Sequence, residues 1–341
     1  MQSISRFALT IMVFMTTGPW AAAQVLDTSL LKDLKPRSIG PAGMSGRVTA
    51  IDAVNANPEI IYVGTASGGV WKTTGGGQTW TPLFEKEATS SIGALAIDQS
   101  NPSVIWVGTG EGNPRNSLNG GFGVYRSIDA GKTWQLMGLE KTRHIHRIIV
   151  DPRDSNTVYV GAIGSPWGEH DERGVYKTSD GGQSWVKILH SNNHSGVADM
   201  VMDPSNPNKL VVALWEHKRD PWHFTSGGPG SGLYITHDGG QSWQKKDHAD
   251  GLPEGDLGRI GLAIAPSNPD RIYALVESKK NALYRSDDGG VTWQKINDND
   301  DIGNRPFYYS DIFVDPHNEH LVYSVFTYVN VSIDGGKASN N

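Results

Sequence analysis

Ser127-Ile-Asp-Ala-Gly-Lys-Thr-Trp134 decides the fold, because the chain repeats it. Thr178-Ser-Asp-Gly-Gly-Gln-Ser-Trp185, Thr236-His-Asp-Gly-Gly-Gln-Ser-Trp243 and Ser286-Asp-Asp-Gly-Gly-Val-Thr-Trp293 obey the same rule, Ser/Thr-x-Asp-x-Gly-x-Ser/Thr-Trp. Thr73-Thr-Gly-Gly-Gly-Gln-Thr-Trp80 keeps the pattern with Gly75 in place of the acid, and Ser332-Ile-Asp-Gly-Gly-Lys337 begins a sixth copy. Successive copies start 46 to 58 residues apart, the spacing of a repeat architecture. Each copy has the chemistry of a hairpin turn. The hydroxyl and the carboxylates of Asp129, Asp180, Asp238, Asp288 and Asp334 can accept hydrogen bonds from the turn's own N–H groups. The glycines supply positive φ, and Trp134, Trp185, Trp243 and Trp293 can fold back between sheets. Since Gly75 replaces one acid while the rest of its copy survives, these carboxylates read as structural.

Around each motif the same order recurs. An apolar stretch such as Ile92-Gly-Ala-Leu-Ala-Ile97 leads to an Asx/Pro turn such as Asp98-Gln-Ser-Asn-Pro102. A β-branched and aromatic strand (Val104-Ile-Trp-Val107) and a third (Gly123-Val-Tyr-Arg126) follow, and the motif leads into a fourth. Four antiparallel strands per repeat, with no helical periodicity between them, predict an all-β propeller of five complete four-stranded blades plus a partial sixth over 47–341. The sixth motif breaks at Ala338, so the sequence predicts either a propeller truncated at its C-terminus or six blades closed by Leu34 to Gly40.

The bulk numbers suit this reading. The chain has 341 residues, with 41 Gly, 11 Trp and only 19% charged residues. A net charge of −6 without a basic block argues against nucleic acid as a partner, and the absence of cysteine excludes disulfides and a thiol nucleophile. Residues 1–23 carry the charged, apolar, small-residue order of a secretory signal: Arg6, then Phe7 to Met15, then Ala21-Ala-Ala23. Export to a periplasm or the extracellular space is expected, with a polar lead-in segment over 24–46 and no membrane span.

The eight-residue motif resembles the Asp-box, or bacterial neuraminidase (BNR) repeat. Together with Arg37 to Val48, Val63 to Thr73 and Val107 to Asn113, it makes the chain similar to exported bacterial BNR-repeat glycosyl hydrolase and sortilin-like propeller proteins. The resemblance implies a propeller, and in longer relatives further blades or domains. It does not carry a mechanism across. Sialidases of this class have an Arg-Ile-Pro element that this chain lacks. In the xyloglucan hydrolases a catalytic aspartate precedes the first box, and Ala66 stands at that position.

The remaining candidates are loop residues. Glu111, Asn113 and Arg115 lie in one loop; Trp167, Glu169, Asp171 and Arg173 in a second; Trp215, Glu216, Arg219 and Trp222 in a third. Aromatic rings beside carboxylates and arginines suit glycan or peptide capture. Two functions follow. The first is an exported module that binds glycan or peptide on its loop face. The alternative is a glycoside hydrolase using carboxylates among Glu111, Glu169, Asp171 and Glu216. The histidines show no tight ligand spacing, and Asn297 to Gly303 lacks a full calcium-loop ligand set, so no metal and no cofactor is expected.

Overall fold

The computed structural model describes residues 47–299, 302–303, 307–308, 311–326 and 328–338. The expected signal peptide and the lead-in segment, including Leu34 to Gly40, lie outside them. Among the described residues six antiparallel sheets follow one another in chain order around a common axis, forming a six-bladed β-propeller. The inner strands are Val48–Val54, Ile92–Ile97, Ile145–Asp151, Ser195–Met202, Ile260–Ile264 and Asp311–Asp315. Blades 1 to 5 each run inner to outer through four strands, and blade 6 shows three, ending at Val329–Ser332. Blade 4 alone adds a strand, Phe224–Ser226, which pairs with the long second strand Leu210–Arg219 to make a hairpin.

The repeated motif forms the turn between third and fourth strands. Asp129 accepts hydrogen bonds from the Ser127 hydroxyl (2.8 Å), the Thr133 amide (2.9 Å) and the Thr133 hydroxyl (2.6 Å). Ser127 Oγ in turn accepts from the Gly131 amide at 2.8 Å, where φ is +88° and a side chain would be strained. Asp180, Asp238 and Asp288 repeat these bonds, and Asp334 receives the amides of Lys337 and Ala338. The tryptophan reaches the previous blade. Trp134 Nε1 donates to Leu83 O at 2.8 Å, and Trp185 Nε1 to Met137 O at 2.7 Å. The fourth strand begins just after this residue, at Val186 in blade 3.

Core packing lies between successive blades. One inner-strand position faces the preceding blade in every repeat: Ile51, Leu95, Ile148, Met200, Leu262 and Ile312, fixed by pairing with Val63, Val107, Val160, Val212, Ala274 and Ser324. Five of the six are at most 8% exposed, whereas Ile51 is 67% exposed. At the next position of the inner strand, Phe313 of blade 6 is 58% exposed, while its equivalents Ala96 and Ala263 are buried. Blades 1 and 6 thus each expose an apolar side chain where the named equivalents are buried, and Trp80 of the first motif is 36% exposed.

Candidate functional site

Polar residues at the starts of the inner strands meet along the inner edges of the blades. The Arg47 guanidinium grips Glu111 through two bonds of 2.6 and 2.5 Å, joining blade 1 to blade 2, and Glu111 is buried. Arg147 bonds Asp199 at 2.6 Å and Asp311 at 3.3 Å, linking blades 3, 4 and 6. Arg259 of blade 5, also buried, reaches Asn113 Oδ1 at 3.2 Å and Tyr308 O at 3.1 Å. Both Arg147 and Arg259 point an N–H at His146 Nε2, at 3.3 and 3.2 Å, so this nitrogen holds a lone pair. Burial, reinforced by the two guanidinium charges, holds His146 well below the ordinary histidine pKa. His144 is lowered to about 4, also mainly by burial, and its Nδ1–H donates to Glu111 O at 2.8 Å. Asp199 and Asp311 offset the charges of Arg147 and Arg259. The network ties blades together.

The three candidate loops therefore have different fates. In the first, Glu111 is held by Arg47, Asn113 by Arg259, and Pro114 O by the Arg219 guanidinium at 2.8 and 3.0 Å. Arg115 lies 5.6 Å over the Tyr308 ring. The residues expected in the third loop lie instead on the strand Leu210–Arg219 and the turn after it: Trp215 is fully buried, stacked on His217 at 4.4 Å, and Glu216 accepts from the Gly230 amide (2.8 Å) and Asn192 (3.1 Å). Arg219 donates to Tyr308 OH at 2.6 Å and covers the Phe224 ring at 4.3 Å. Trp222, at the tip of the blade 4 hairpin, is exposed.

The second loop opens to solvent. Arg173 is fully buried beneath it and donates to Ser165 O (2.6 Å), Gly168 O (3.2 Å) and His194 O (2.5 Å). Burial lowers its pKa to about 10, with the Glu216 carboxylate opposing. Thus fastened, the loop presents Trp167 outward and Glu169 at 71% side-chain exposure, 3.6 Å from His194 Nε2. Glu169, His170, Asp171 and Glu172 form one wall of a groove of about 550 Å³. The opposite wall comes from blade 2: Phe122, exposed, with Glu140, Lys141 and Arg143. Burial, then the neighbouring Arg173 charge, lowers the His170 pKa. Tyr176 OH donates to Glu172 at 2.8 Å, leaving Glu169 and Asp171 as the loop's own carboxylates in the lining, with Glu140 on the blade 2 side.

The blade 2 wall escapes motif reading. Glu140 to Thr142 form a short 3-10 turn flanked by Leu139 and Arg143, whose φ values are +61° and +65°. The available signal was only a charged Glu-Lys-Thr-Arg run between blades, next to Gly138.

The chain matches two family models: the BNR/Asp-box repeat over residues 284–295, and the sortilin family (Sortilin, neurotensin receptor 3) over 123–250. With the motif's bonds repeated from blade to blade, the assignment follows. It is a BNR-repeat β-propeller. The propeller is similar to a xyloglucanase of Paenibacillus sp, at 25% identity over 185 residues, covering 50% of this chain and 17% of the relative. A xyloglucanase of Hypocrea jecorina is 25% identical over 230 residues, or 60% of this chain and 25% of that one. The BNR-repeat chain thus spans a quarter or less of these relatives' length. Its fold resembles the solved GH74 enzyme of Niastella koreensis (TM-score 0.63, 20% identity, 86% of this chain and 46% of that chain). It also resembles the GH74 xyloglucanase of Xanthomonas campestris (TM-score 0.55, 17% identity, 88% and 54%). The propeller is of glycosyl-hydrolase-like type. No helix among the described residues is long and apolar enough to cross a membrane.

Proposed function

We propose that this chain is a glycoside-hydrolase-type propeller that engages a neutral polysaccharide in the groove between blades 2 and 3. The observation that carries the reading is the pairing of an exposed aromatic ring, Phe122, with a wall of carboxylates on a loop fastened from beneath by Arg173. An aromatic face suits the C–H face of a pyranose, and carboxylates suit its hydroxyls. Four acids and two bases line the groove, an excess of negative charge that disfavours uronate or sulfate chains. The names of the similar xyloglucanases support a plant glucan as the first substrate to try.

Of the four carboxylates nominated from sequence, Glu111 and Glu216 are engaged inside the protein, which leaves Glu169 and Asp171 to act as acid and base. Reducing-sugar release from xyloglucan and a panel of neutral polysaccharides tests the proposal. Glu169→Gln and Asp171→Asn should lower kcat and leave binding intact. Neither binding nor turnover on any neutral polysaccharide sinks it. Binding without turnover supports the second reading, a glycan-binding module, which Ala66 favours: that side chain is apolar and buried where the xyloglucan hydrolases carry an aspartate. The signal-like order of residues 1–23 supports action outside the cytoplasm.

A further inference from the structure

Trp222 is the most exposed large apolar side chain among the described residues, at 85%. Its position is not a loose loop. It sits in the turn Asp220 to His223, closed by Asp220 N–H to His223 O at 2.8 Å, at the tip of a hairpin that, among the described residues, only blade 4 carries. The end of that hairpin next to the turn is pinned three ways. The Arg219 guanidinium bonds Pro114 O and Tyr308 OH, its face covers Phe224, and its backbone N–H donates to Pro166 O at 2.7 Å. The last bond matters most. Pro166 precedes Trp167, the other exposed indole of the loop face, at 45% exposure. Trp222 follows Arg219 by three positions, in the turn that this bond holds beside the Trp167 loop, so the two indoles belong to adjoining surface segments. Trp167 in turn is two residues from Glu169, a wall of the groove.

An indole that adds nothing to the core, displayed on a hairpin held by a partly buried cation, has the backbone part of its ordering cost met before any ligand arrives. We propose that Trp167 and Trp222 form an aromatic platform that continues the groove and stacks on further rings of the same neutral polysaccharide chain. This rests on the glycan reading of the groove and adds a second, distal binding region. Affinity then grows with chain length, because short oligosaccharides fill the groove alone and long ones also reach the indoles.

Isothermal titration with a length series of neutral gluco-oligosaccharides tests this, using the wild type, Trp222→Ala and, as a groove control, Phe122→Ala. Trp222→Ala should weaken the longest oligosaccharides by about tenfold and leave the shortest unchanged, while Phe122→Ala weakens all lengths. Because Trp222 is exposed, the variant keeps the wild-type thermal midpoint. If the wild type binds but Trp222→Ala matches it at every length, the platform is refuted and the groove reading stands. If the wild type binds no oligosaccharide, both fail. Loss of binding to a peptide array on Trp222→Ala, without loss of glycan, would also overturn the platform, since it would assign the indole to peptide.

Discussion

Leu95 and Ile51 occupy the same position in two successive blades, yet one is buried and the other open, which makes them a matched pair for measurement. Leu95 packs with Tyr62, Ile105 and Val107 between blades 1 and 2. Truncating it to alanine removes buried methyl groups and leaves a cavity that rigid sheets cannot close, at a cost of about 2–5 kcal/mol. Ile51 keeps only about a third of its side chain covered. Full burial of such a side chain is worth about 1.5–3 kcal/mol, so Ile51→Ala should cost about 0.5–1 kcal/mol. The gap between the two variants is at least about 1 kcal/mol, roughly a fivefold difference in the unfolding constant. Lysine sharpens the contrast: Ile51→Lys should be tolerated, while Leu95→Lys places a charge between sheets and should abolish folding. Urea unfolding read by tryptophan fluorescence and by circular dichroism gives both values, provided the two probes coincide and the slopes agree. Equal losses for Ile51→Ala and Leu95→Ala would refute the reasoning, since they would show the blade 1 face to be covered.

Two further outcomes follow from the same bonds. Gly75 lacks a positive φ and a Cβ there meets nothing within 4 Å, so Gly75→Asp should rebuild the carboxylate of the first motif and raise the urea midpoint by about 1 kcal/mol of stability; a fall in midpoint contradicts the hairpin account. His144, His146 and His217 are all lowered by burial, so the unfolded chain binds protons that the folded chain refuses. Their contribution is complete above the ordinary value of 6.5 and is lost as pH falls; for His144 the loss runs from 6.5 to about 4, a range of about 3 kcal/mol at 1.36 kcal/mol per unit. Thermal midpoints should therefore drop from pH 7 to pH 4, more shallowly in His144→Asn. Asp129 and Asp288, held at about 2 by their hydroxyl and amide donors, retain their share until the pH falls from about 4 toward 2. A midpoint that stays flat from pH 7 to 4 contradicts the burial of neutral histidines.

The strands were legible because their signals are local. Asx/Pro turns, β-branched runs and the eight-residue motif each specify a backbone conformation within a few residues, and their recurrence specified blades. The hydrogen bonds of Asp129 were legible for the same reason: donors and acceptor sit within six residues of one another. The loop residues were not separable in this way. Glu111 and Glu169, or Arg115 and Arg173, look alike in sequence as charged residues in glycine-bearing loops. Which of them is consumed inside the protein depends on partners far along the chain: Arg47 for Glu111, 64 residues away, and His194 O for Arg173.

Sequence by itself thus determined the repeat, the blade and the motif's chemistry, since these follow from short-range steric and hydrogen-bonding rules. The tertiary structure alone decided that Trp215 is core while Trp222 is surface, although both lie on one hairpin strand and its turn. It alone set Phe122 and Arg143 of blade 2 opposite Glu169 of blade 3. It alone left Ile51 open where Leu95 is sealed. In each case the deciding quantity is what another blade places against the residue, and adjacency between blades is a property of the folded chain around its axis.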